Sequence, residues 1–88
     1  MAASNVREQI SMARGLRRRG ENAQAEELLR AVAEAQPGFA DVQNELGLLY
    51  HELGDFDRAQ AAFQKALAIN PAYTEAALHL AITLNDVG

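Results

Sequence analysis

Residues 44–71 of this 88-residue chain read NELGLLYHELGDFDRAQAAFQKALAINP, and they place small residues where a lone amphipathic helix carries large apolar ones. The small residues are Gly47, Ala59 and Ala66. The distance between packed helices depends on the side chains at their contact, and small ones permit a close approach. The stretch therefore predicts a stack of closely packed helices.

The composition of the chain favours a single all-α domain. Ala and Leu dominate its apolar residues, and no strand-length alternation of apolar and polar residues occurs. The absence of Cys excludes disulfides and thiolate zinc sites. No apolar run approaches 18 residues and no charged-then-apolar leader is present, so we expect a soluble, cytoplasmic protein without membrane insertion.

A period of 34 residues runs through the sequence. It relates three glycines, two prolines and two alanines, namely Gly20, Gly54 and Gly88, Pro37 and Pro71, and Ala25 and Ala59. Other related positions keep their size class, as at Met12 and Leu46. A fixed period of this length is typical of repeat architectures, in which each unit stacks on the next.

Each unit has the start and stop signals of a helix, a turn and a second helix. Gly54 can adopt a positive φ and end one helix, and Asp55 can cap the next. Asn70 precedes Pro71 and therefore avoids the α region, which stops the second helix. The same signals recur 34 residues earlier. They predict five helices, at 5–19, 22–35, 39–53, 56–69 and 73–87.

Residues 40–73 resemble a tetratricopeptide repeat. The matching positions are Leu46, Gly47, Tyr50, Gly54, Ala59, Phe63, Ala66 and Pro71; the aromatic residue near the start is replaced by Gln43. Residues 6–39 match less closely but in phase, and residues 74–88 supply the first helix of a third unit. The resemblance implies one domain over residues 1–88, a right-handed α-solenoid of antiparallel helix pairs with about two and a half repeats.

Members of this family bind a peptide or a partner's helix in a concave groove lined by the first helices. Carried over by position, the resemblance assigns these residues to the groove: Ile10, Arg14, Arg17, Asn44, Glu45, Leu48, His51, Glu75, Leu78, His79 and Ile82. The predicted function is a protein-interaction scaffold. Apolar residues such as Leu48 and Ile82 would supply affinity. The arginines of the first helix would either grip an acidic segment or form a solvated helix end, where basic groups suit the negative end of the helix dipole.

Some members of the family hold the terminal carboxylate of chaperones with a clamp of Lys and Asn. In this chain Ile10, Arg14, Glu45 and Glu75 stand at those positions. The two glutamates would repel a carboxylate, so we expect a different protein or peptide ligand.

Self-association is the alternative function. The first helix of the third unit has no second helix to cover it within residues 74–88, so Leu80, Leu84 and Val87 are expected on an open face. Either the chain is a piece of a longer array or a second copy covers this face, which would make a homo-oligomer.

Catalysis, cofactor binding and nucleic-acid binding find little support in the sequence. The stretch HELGD, residues 51–55, lacks the second His of a zinc-protease helix. His79 is expected near Glu45, a pair that would at most form a pH-sensitive contact or a weak metal site. The formal net charge is −4, and the aromatic residues are assigned to packing, so no nucleic-acid partner is expected. We predict a non-enzyme without metal or cofactor.

Overall fold

The computed structural model describes residues 5–87, within which the chain forms five α-helices joined by short turns. The helices are α1 (Val6–Arg18), α2 (Asn22–Ala35), α3 (Ala40–Glu52), α4 (Phe56–Ile69) and α5 (Thr74–Val87). Each boundary lies within one residue of its predicted position. No strand occurs in residues 5–87, which confirms the all-α prediction. Gly88, the third glycine of the period, lies outside the described residues.

The turn inside each repeat is the same hydrogen-bonded motif. Gly20 and Gly54 both have φ of 80°. In the first turn the Gly20 N–H donates to the Arg17 carbonyl at 3.0 Å, and the Glu21 N–H donates to the Leu16 carbonyl at 2.8 Å. The second turn repeats both bonds at 3.0 and 2.9 Å. This is a Schellman motif, which satisfies the last helix carbonyls and requires a residue that tolerates positive φ.

The remaining helix ends also follow the predicted signals. The Asp55 side chain accepts a hydrogen bond from the Arg58 N–H at 3.3 Å, which confirms it as the cap of α4. Gln36 and Asn70, which precede the two prolines, have φ of −139° and −135° and end α2 and α4.

Helix α3 is the centre of the fold. It contacts each of the other four helices, and eight of its 13 residues are buried. The largest fully buried side chains are Phe63, Leu49, Val42 and Thr83. Position in the repeat does not by itself fix burial: Leu46 is 5% exposed, whereas its counterpart Met12 is 58% exposed. The difference arises because α2 packs on α3, while no helix of residues 5–87 covers the corresponding side of α1.

Gly47 is the point of closest approach between α3 and α4. A Cβ atom placed on Gly47 would lie 2.6 Å from Cδ1 and 2.7 Å from Cζ of the Phe63 ring, with Cε1 also in contact. Phe63 is fully buried, and a close-packed interior leaves little space into which its ring can move. The small residue predicted at a helix crossing therefore accommodates an aromatic ring from the partner helix.

We expect Gly47→Ala to lower the free energy of unfolding by about 1–3 kcal/mol, because the added methyl group overpacks the contact with Phe63. Gly15→Ala is the matched control, since the nearest atom to its new Cβ would be Arg19 Nη1 at 3.9 Å. Gly15→Ala should raise the free energy of unfolding by about 0.5–1 kcal/mol through helix propensity. Urea denaturation followed by circular dichroism measures both, and equal stabilisation by both substitutions would contradict the close crossing.

Candidate partner-binding groove

The first helices of the repeats, α1, α3 and α5, form one continuous face, which we call the inner face. α1 contacts α3 and α3 contacts α5. On α3, Glu45 and His51 bond to residues of α1 and α5, whereas Leu46 and Tyr50 line a cleft between α2 and α4. The predicted groove helices therefore do lie side by side, and the second helices pack elsewhere on α3.

Arginines of α1 pair with glutamates of α3 across the inner face. Arg14 donates from Nε and Nη2 to Glu45 Oε2 at 2.9 and 2.6 Å, and the Glu45 side chain is only 5% exposed. Arg17 Nη1 donates to Glu52 Oε2 at 2.6 Å. The hydrogen bond and charge of Glu45 raise the pKa of Arg14. Both arginines, expected to grip a partner's acids, thus already hold carboxylates of their own chain.

Histidines link α3 to α5 on the same face. His79 Nδ1 lies 3.1 Å from Asn44 Oδ1, so the expectation that His79 would neighbour Glu45 is wrong: Glu45 turns toward Arg14. His51 Nδ1 lies 2.9 Å from Thr83 Oγ1, and His51 Nε2 lies 3.1 Å from Asp86 Oδ2. The two histidines thus contact an amide, a hydroxyl and a carboxylate, and these polar contacts join α3 to α5.

Thr83 is the inner-face residue that the sequence reasoning missed. Its hydroxyl donates to the His79 carbonyl at 2.8 Å, and its oxygen also lies 2.9 Å from His51 Nδ1. Thr83 is fully buried. The 34-residue period relates it to Leu49, which is also fully buried, and that relation was the available signal.

A second polar contact lies where α3 and α5 begin. Tyr73 precedes α5, and Asp41 stands in the first turn of α3. Burial, together with a hydrogen bond to the Asp41 carboxylate, raises the pKa of Tyr73. The Tyr73 phenol therefore remains protonated at neutral pH and serves as a hydrogen-bond donor at this end of the inner face.

The predicted groove residues differ widely in their accessibility. Ile10, Asn44 and Glu45 are buried, so the expectation that Ile10 would contribute apolar contact to a ligand is wrong: its side chain belongs to the core. Leu48 is half-buried against the same core. Leu78 and Ile82 are 58% and 44% exposed. Of the other predicted residues, those with exposed or half-buried side chains are Arg14, Arg17, His51, Glu75 and His79.

The expected open face of α5 is only partly open. Leu84 and Val87 are 48% and 57% exposed. Leu80 is half-buried and packs against the main core cluster, so it contributes less to that face than its neighbours do.

Among residues 5–87, no three His, Cys, Asp or Glu side chains are grouped closely enough to hold a metal ion. No helix described here has the length and apolar content needed to cross a bilayer.

A comparison with known protein families gives one match that spans most of the chain. The sequence model of the family described as tetratricopeptide repeat matches residues 10–74 and, overlapping, residues 52–85. The chain belongs to the tetratricopeptide repeat family. Repeats of this family form helical solenoids that are generally protein–protein interaction modules and are not catalytic. In this tetratricopeptide repeat chain, the helix pairs α1–α2 and α3–α4 are the two full units and α5 is the first helix of a third.

We expect Arg14→Met to lower the free energy of unfolding by about 1–3 kcal/mol, because it leaves the buried Glu45 carboxylate without its main donor. The double variant Arg14→Met/Glu45→Met should recover most of that loss. Arg19→Met is the control, because the contact between Arg19 and Glu21 spans 3.6 Å and is exposed on both sides. Its effect should stay within about 0.5 kcal/mol. Urea denaturation measures all three, and a double variant no more stable than Arg14→Met would refute the pairing argument.

Proposed function

We propose that the inner face binds a helix or extended segment of a partner protein, with Leu78 and Ile82 as its apolar anchors. The observation that carries the proposal is their exposure, 58% and 44%, one helix turn apart on a face whose neighbouring polar groups are largely paired. Contiguous exposed apolar side chains favour an interaction site over ordinary surface. Half-buried Leu48 of α3 occupies the same repeat position as Ile82, and we call Leu48, Leu78 and Ile82 the apolar strip.

The repeat suggests where the partner segment lies. Ile10, Asn44 and Leu78 occupy the same position in successive first helices. Ile10 of α1 is buried beside α3, and Asn44 of α3 is buried beside α5. Leu78 of α5 is exposed, because residues 5–87 supply no further first helix beside α5. A partner segment that crosses the inner face and ends beside α5 would bury Leu78 and Ile82 together.

Charged side chains of α1 and α5 that have no oppositely charged partner among residues 5–87 suggest the orientation of that segment. Within residues 5–87, no carboxylate lies within 4.0 Å of the Arg7 or Arg18 guanidinium, and no cationic group lies within 4.0 Å of the Glu75 carboxylate. Arg14 also keeps half of its side chain exposed. A segment with acidic groups toward α1 and basic groups toward α5 would complement this distribution, which sets orientation and on-rate more than affinity.

We expect a peptide selected against the domain from a random library to bind at least about tenfold more weakly to Leu78→Asp, because a charge replaces a central apolar contact. Met12→Asp is the matched control, since Met12 is also 58% exposed but lies away from the strip. Fluorescence anisotropy gives the affinities, and amide chemical shifts locate the peptide. Perturbations confined to residues outside α1, α3 and α5 would contradict the proposal.

A second candidate function is self-association through α5. Leu84 and Val87 are exposed on the side of α5 away from the core, and exposed Ala77 and Ala81 continue the same stripe. Residues at this helical spacing form the kind of seam along which two helices pack. Two copies of α5, packed about a twofold axis, would cover each other's stripe.

If α5 mediates self-association, we expect light scattering over a concentration series to give the mass of a dimer. Leu84→Asp should give the mass of a monomer, because it places a charge in the centre of the interface between the two copies of α5. Met12→Asp should leave the dimer intact. A monomer at every concentration would contradict self-association and would leave α5 free for the partner segment.

A further inference from the structure

A groove runs between α2 and α4, on a part of the molecule that the inner face does not include. Its floor is made by α3, with Gln43, Leu46 and Tyr50. One end is a cleft of about 440 Å³ and the other a cleft of about 410 Å³. Both clefts are lined by Gln43 and by Lys65 of α4, so they adjoin each other, and we call the pair the outer groove.

The outer groove is open because its walls carry small side chains. Alanines line it from both helices, namely Ala33 from α2 and Ala61, Ala62 and Ala68 from α4. Gln43 is half-buried on the floor, at the position where the repeat pattern has an aromatic residue. An amide side chain leaves unfilled the apolar space that a ring would occupy above Leu46. The groove can therefore admit an apolar side chain of a ligand.

The outer groove is lined by more basic than acidic groups. Arg30, Arg58 and Lys65 line its larger cleft, against one acid, Glu34. The chain as a whole has the opposite sign, with a formal net charge of −4. The groove thus gathers all three basic residues that lie outside the first helix and its turn, and Lys65 has no carboxylate within 4.0 Å among residues 5–87.

The two arginines of the outer groove approach carboxylates of their own chain but make no short hydrogen bond to them. Both approach Glu26, at 3.6 Å from Arg30 and 3.9 Å from Arg58, and Arg58 lies 3.5 Å from Asp55. These contacts are longer than the 2.6 Å bonds of Arg14 and Arg17. The Glu26 carboxylate already accepts from the Tyr50 hydroxyl at 2.8 Å.

Tyr50 helps to hold Arg58 over the groove. The Arg58 guanidinium lies 5.8 Å from the centre of the Tyr50 ring, within the range of a cation–π contact. An arginine held in this way loses less side-chain entropy when an anion binds.

The spacing of the cations indicates the shape of the ligand. Arg58 and Lys65 are two turns apart on α4, about 10 Å along the helix axis. A polyproline-type chain advances about 9 Å in three residues and returns to the same side. Two carboxylates three residues apart would therefore reach Arg58 and Lys65 together, with the intervening residues over Ala62 and Leu46.

We propose that the outer groove binds an extended acidic segment of a partner protein, in which two carboxylates flank an apolar side chain. The carboxylates pair with Arg58 and Lys65, and the apolar side chain enters the space above Gln43 and Leu46. This site is separate from the inner face, so the domain can hold two different segments at the same time.

The test uses a fluorescein-labelled peptide, Gly-Glu-Pro-Trp-Glu-Gly, and a twin with Gln in place of both Glu. Fluorescence anisotropy at about 50 mM salt should show the acidic peptide binding at least about tenfold more tightly than the twin, and about 500 mM salt should weaken it. Absence of binding by the acidic peptide at low salt would overturn the proposal.

Charge-reversal variants locate the site. Lys65→Glu should weaken binding of the acidic peptide at least about tenfold, whereas Arg19→Glu, with the same change in net charge on an exposed turn residue, should change it less than about twofold. Equal losses in both variants would mean attraction by net charge alone and would overturn the proposal.

Two further variants separate the outer groove from the inner face. Gln43→Trp should fill the floor of the groove and abolish binding while the circular dichroism spectrum stays helical; retained affinity in this variant would overturn the proposal. Leu78→Asp should leave binding of the acidic peptide unchanged. Loss of binding in Leu78→Asp would place the peptide on the inner face, which would refute this inference and leave the proposed function standing.

Discussion

The fold depends on the contact between the Gly47 backbone and the ring of Phe63. It sets the separation of α3 from α4, and α3 is the one described helix that touches all the others. Where α3 lies decides the spacing of the inner face on one side and the width of the outer groove on the other. A side chain at Gly47 would move α3 and would disturb both surfaces at once.

The helices and turns could be predicted from the sequence because their signals are local. Gly20 and Gly54 need a positive φ, and the residues before Pro37 and Pro71 cannot continue a helix. Each of these constraints acts within a few residues of chain, and the 34-residue period supplies every signal twice. The boundaries therefore followed without knowledge of any long-range contact.

The accessibility of the inner-face residues could not be predicted in the same way. Ile10 and Leu78 occupy the same repeat position, yet one is 6% and the other 58% exposed, because only Ile10 has a further first helix beside it among residues 5–87. The ion pairs depend on a second nonlocal quantity, the stagger of neighbouring helices. Arg14 bonds to a residue 31 positions later and Arg17 to one 35 positions later, so one separation is shorter and the other longer than the 34-residue period. A repeat length alone does not give that stagger, and so the partners of Arg14 and His79 were not foreseen.

The pair between Arg17 and Glu52 bears on the mechanical compliance of the array. Its carboxylate side is 53% exposed, whereas that of the neighbouring pair at Glu45 is 5% exposed. Salt screens an exposed pair far more than a buried one. At high ionic strength the edge of the inner face near Glu52 would loosen while the part near Glu45 stays fixed, so α1 would pivot about Arg14 instead of separating from α3. The exposed pair is therefore the salt-sensitive contact between α1 and α3, and the buried pair is the salt-resistant one.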